Sequence, residues 1–157
     1  MKAISKIIIA GIVGTTFMTL YSRYKSEDED EQYTEPVLLN KLIDRSGMHV
    51  KVNNNHPAGW LWHYSIGILF VTSYYVLWRK SLRKPTLAKI FVVGSLSGVL
   101  AVADWELMFI INPNPPSNDR YGYYRQLFIA HLIFAGFALP TYSFLDSKDA
   151  AKRLENA

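Results

Sequence analysis

Hydrophobic positions in this chain gather into four long runs separated by polar stretches: Ile7 to about Ser22, Gly59 to Trp78, Ala88 to Ile111, and Tyr124 to Leu145. A bilayer core is about 30 Å thick and a helix rises about 1.5 Å per residue, so about 20 apolar residues cross it. Each run predicts a transmembrane helix, because uninterrupted apolar runs of this length do not fit barrel strands. The first run is the shortest. Lys2 and Lys6 precede it as they would in a signal peptide, but YSRYK follows it where a small-residue cleavage site would stand, so an uncleaved span is expected. Trp60, Trp62, Trp78, Tyr21, Tyr24, Tyr121, Tyr123 and Tyr124 fall at run ends, where amphipathic rings favour the headgroup zone.

The connectors read differently from one another. Residues 25–58 form the one sizeable segment outside the runs. SEDEDEQYTEP is charged and ends in Pro36, which predicts a flexible spacer. Its acidic run, Glu27 to Glu31, lacks the D-x-D-x-D-G pattern of a calcium loop, so solvated side chains are the expectation. In EPVLLNKLIDR the apolar Val37, Leu38, Leu39, Leu42 and Ile43 have near-helical spacing, predicting a short amphipathic helix on the outer interface. VNNNHPAGW and NPNPPSNDRYGYY read as turns.

Composition narrows the class. The 157 residues are 50% hydrophobic and 19% charged, with no cysteine. One membrane domain, residues 1–157, is therefore expected, without a disulfide, a CxxC redox pair or a Cys-ligated metal. The net charge of +4 is spread between the runs, without the basic, aromatic-interleaved patch of a nucleic-acid binder. With a cytoplasmic N-terminus, that side holds ten Lys and Arg (Lys2, Lys6, Arg79, Lys80, Arg83, Lys84, Lys89, Lys148, Lys152, Arg153). The other side holds seven (Arg23, Lys25, Lys41, Arg45, Lys51, Arg120, Arg125). This bias places both termini in the cytoplasm.

Small residues mark expected helix contacts: Gly11 and Gly14, Gly67, Gly94 and Gly98 of a GxxxG, and Ala135 with Ala138. Ionisable groups share those faces. By the three-and-four rule Asp104 follows Gly94, Ser97 and Ala101; His131 shares a stripe with Ala135, Ala138 and Tyr142; His63 shares one with Gly67, Phe70 and Tyr74. Glu106 lies about 200° round the helix from Asp104 and faces elsewhere. Counted from the outer ends of their runs, His63, Asp104 and His131 lie roughly 6–11 Å deep, so one polar cluster is expected. A carboxylate at that depth costs about 2.5–3.5 kcal/mol unless partnered, and a histidine is its natural partner.

Three roles fit such a cluster. It can be a structural hydrogen-bond network in a non-enzymatic membrane protein. It can be a metal or b-type haem site using His63 and His131 with Asp104 or Glu106. It can be a proton or small-solute path in a homo-oligomer. His49 and His56 are expected at the surface. No GxSxG, P-loop, dinucleotide-binding or kinase signature is present.

GIVGTTFMTLYS, GWLWHYSIGILF and QLFIAHLIFAGFA resemble segments of the YagU-like family, small four-helix bacterial inner-membrane proteins of unknown function. The matching positions are Gly14, Thr15, Met18, His63, Gly67, Phe70, His131, Phe134 and Gly136. The resemblance implies an all-α, four-span bundle in a bacterial inner membrane, singles out His63 and His131, and suggests an envelope or acid-stress role.

Overall fold

The computed structural model describes residues 1–46, 52–116 and 119–155. Within them lie six helices and no strand: α1 (Ala3–Asp28), α2 (Glu35–Asp44), α3 (Pro57–Leu77), α4 (Arg79–Arg83), α5 (Leu87–Ile111) and α6 (Arg120–Glu155). Three helical stretches are long and apolar enough to cross a membrane: Ala3–Asp28, Leu87–Ile111 and Arg120–Ala151. The second apolar run forms α3, which has 21 residues and no charged side chain. Two Trp, three Tyr and His63 dilute its apolarity, so only three of the four expected spans meet both requirements.

Helix α6 packs against α1 on one side and α5 on the other, while α3 packs against α1 and α2. The bundle therefore runs α3–α1–α6–α5. Small residues set the spacing. A Cβ added at Gly14 would lie 2.9 Å from both Ala138 and Phe134, and one at Gly94 would lie 2.9 Å from the Leu132 backbone. Gly11 faces Ile68, Gly67 faces Thr15, Gly98 faces Phe128, and Ala135 is fully buried. α3 and α5, the two ends of this row, are not a close-packed pair. Their outward side chains are apolar: Leu61, Leu69, Val76, Phe91, Val99, Leu100 and Ile110 are all exposed. So many large apolar side chains on the outer faces suit a membrane better than water.

Each end of the bundle is tied by polar contacts. At the end carrying the termini, Lys6 bonds Asp146 at 2.8 Å and Asp149 at 3.0 Å, and Arg83 lies 3.4 Å from Asp146. At the opposite end, Arg125 reaches Glu29 at 2.9 Å, and Asn112 donates to the Leu42 carbonyl at 3.0 Å.

Several boundaries differ from the sequence reading. The expected spacer starts as helix: α1 continues to Asp28 because Arg23–Glu27, Lys25–Asp28 and Lys25–Glu29 pair along its surface. RYGYY, read as part of a turn, is the first turn and more of α6. The amphipathic α2 is present, but it is held against the start of α3, where the Asn40 side chain accepts from Gly59 N at 2.8 Å. His56 caps α3, accepting from Ala58 N at 3.2 Å, while His49 lies outside the described residues.

Candidate functional site: a cleft between α3 and α5

The row of polar residues on α1 starts the site. Thr15, Thr19 and Ser22 follow one another at helical spacing and are all buried. Thr19 Oγ1 donates to the Thr15 carbonyl at 2.8 Å and contacts His63 Nε2 at 2.9 Å. A threonine hydroxyl has one hydrogen, so with that hydrogen on the carbonyl the imidazole Nε2–H is the donor. The neutral ring then carries a bare acceptor at Nδ1. His131 is the mirror case: its Nδ1 lies 2.9 Å from the Leu127 carbonyl, an obligate acceptor, so Nδ1–H donates and Nε2 is bare. Neither bare nitrogen forms a hydrogen bond among the described residues.

Both rings line one cavity of about 290 Å³. Thr15 and Met18 of α1 and His131 and Phe134 of α6 form its back wall, and its sides are Ile66, Leu69 and Phe70 of α3 and Leu100, Ala101, Asp104 and Trp105 of α5. It occupies the gap that α3 and α5 leave by not packing together. The gap is bounded at one end by a 2.6 Å hydrogen bond between Tyr74 and Ser97.

Glu35, the first residue of α2, lines the other end. It is 1% exposed, and Ser22 Oγ donates to its Oε1 at 2.7 Å. Gln126 Nε2 in turn donates to Ser22 Oγ at 2.6 Å. Burial pushes the Glu35 carboxyl up to about 7, against the opposing pull of its hydrogen bonds to Ser22, its own backbone and Gln126. Four oxygens on and around the cavity are buried without a hydrogen-bond partner among the described residues: Thr15 Oγ1, Glu35 Oε2, Tyr123 Oη and Gln126 Oε1. Buried polar atoms are seldom left so.

Three of the expected residues line one cavity and the fourth, Glu106, does not. His63 and His131 share the cavity, and Asp104 stands on its lining but is exposed. The expected carboxylate–histidine pair does not form: a threonine and a backbone carbonyl take the histidine donors instead. Asp104 stands at the exposed rim of the cavity and not in its interior because the buried row of α5 advances by fours, Ser97, Ala101, Trp105 and Phe109, which gives Trp105 the inner position. Glu106 belongs to another contact, with the Tyr124 hydroxyl as donor and Arg120 at 3.9 Å. Among the described residues, no three His, Asp or Glu side chains gather as a metal-binding group. Sequence reasoning missed Glu35, Ser22 and Gln126. The serine was legible as the continuation of the Thr15–Thr19 row, whereas Glu35 looked like one more acid in a charged spacer. No family model, curated protein or solved structure matches this chain.

Proposed function

We propose that this chain is a four-span bacterial inner-membrane protein, with both termini cytoplasmic, that binds a small molecule in the cleft between α3 and α5 without transforming it. Helix α3 serves as the fourth span in this reading. It is uncharged, 21 residues long, and presents Leu61, Leu69 and Val76 outward, and about 20 such residues suffice to cross. The Lys and Arg distribution supports the orientation, and the YagU-like resemblance supports the bacterial inner membrane.

One observation carries the binding role: a cavity of about 290 Å³ lined by two buried histidines, each with an unused ring nitrogen. A mostly apolar hollow with a few converging polar groups is the usual form of a ligand site. A structural network would instead leave its members paired. Diethylpyrocarbonate, which acylates accessible neutral imidazole, tests this reading. Modification of His63 and His131 in the folded protein is expected, with loss of both in Ala101→Phe, whose ring fills the hollow. Reaction only after denaturation contradicts an open cleft.

A further inference from the structure

Resting on that reading, we propose that the cleft selects a lipophilic ammonium: an organic cation with N–H donors and an apolar body. The polar part of the lining is acceptor-rich. His63 and His131 each offer a bare nitrogen, and Glu35 offers Oε2, which is buried and unpartnered. Asp104 adds a carboxylate with no hydrogen bond or ion pair among the described residues. No Lys or Arg lines the cavity, so two acids face it without a cation to balance them.

The apolar part of the lining fits the same ligand. Phe70, Trp105 and Phe134 surround the space, with the Phe70 and Phe134 rings edge-to-face at 6.2 Å. Aromatic faces attract cations, most strongly where water is excluded. Asp104 sits seven residues, or about 10 Å, from the end of α5 at Ile111. An unpaired carboxylate on an apolar surface lacks a counter-charge, and an arriving ammonium supplies one. A neutral alcohol can donate its one O–H to any of these acceptors but brings neither carboxylate a counter-charge. An anion meets two like charges.

A matched pair of probes tests the charge selection: 4-phenylbutylammonium and 4-phenylbutanol, titrated calorimetrically at pH 8 into the protein in dodecyl maltoside, a detergent without an ammonium group. The ammonium is expected to bind one per chain, at least roughly tenfold tighter than the alcohol. Asp104→Asn, at an exposed side chain, should keep the wild-type melting temperature and remove most of that preference by weakening the binding of the ammonium. Equal affinity for the two probes overturns the ammonium assignment and leaves the cleft-binding reading standing. If neither probe binds and diethylpyrocarbonate reaches neither histidine, both fall. Preference retained in full by Asp104→Asn overturns the role of that carboxylate, and with it the assignment.

Discussion

Helix α6 is gripped on both flanks, whereas α3 and α5 hold each other at little more than one hydrogen bond. On the gripped side, Gly14, Gly94 and Gly98 bring backbones so close that a single added carbon would collide, and Phe17 stacks on Phe137 with centroids 3.7 Å apart. On the open side, Tyr74 meets Ser97 and a mostly apolar hollow with a few polar groups separates the rest. In lipid no hydrophobic force draws helices together, so contact follows side-chain size and hydrogen bonding. The difference teaches where selection for packing stops: small residues close one half of the bundle, and unpaired acceptors mark the half left open.

Substitutions should break this contrast in opposite directions. The largest effect is expected at Gly14→Leu, which drives a side chain into Phe134 and Ala138. A loss of about 3 kcal/mol or more, the upper range for overpacking, should appear as a collapse of the thermal transition in detergent. Nearly as large, with reversed sign, is Glu35→Gln in the cleft. The folded-state value of about 7 stands above the ordinary 4.5, so the cost of burying Glu35 is absent below about pH 4.5, grows between about pH 4.5 and 7, and is constant above that. Ser22, Gln126 and Tyr123 are the groups facing it, and none is a cation. At about 1.36 kcal/mol for each step of pH, Glu35→Gln should stabilise the protein by about 3 kcal/mol at pH 8. Denaturation at pH 4 should show the two proteins alike.

Smaller changes sharpen the picture. Tyr74→Phe removes the hydrogen bond joining α3 to α5 while Ser97 keeps its bond to the Val93 carbonyl, so about 1 kcal/mol should be lost. Smallest of all, Asp104→Asn changes an exposed, unpaired side chain and should move stability by less than about 0.5 kcal/mol. A large loss on that substitution would mean that Asp104 is a structural residue.

The helices, the small-residue contacts and the placement of His63 and His131 on packing faces were legible because they depend on period and residue size alone. Period also explains the error at Asp104. Steps of three and of four both keep a helical face, and only the neighbouring helices decide that Trp105 turns in. Glu35 was illegible for a different reason. Its burial comes from α2 folding back over the ends of α1, α3 and α6, a contact between distant segments that no local pattern announces. The apolar weakness of α3 was visible in its Trp, Tyr and His content, although run length alone had counted it as a full span.

Engineered disulfides in this cysteine-free chain test the open edge most directly. Phe17→Cys with Phe137→Cys joins α1 to α6, replacing two half-exposed rings that stack with centroids 3.7 Å apart. Ile66→Cys with Asp104→Cys faces the cleft from both sides at matching height, about 10–12 Å from the Tyr74–Ser97 bond. The account predicts rapid cross-linking of the first pair under mild oxidation and none of the second. Equally rapid cross-linking of Cys at 66 and 104 would show α3 and α5 in contact, with no room between them for a ligand.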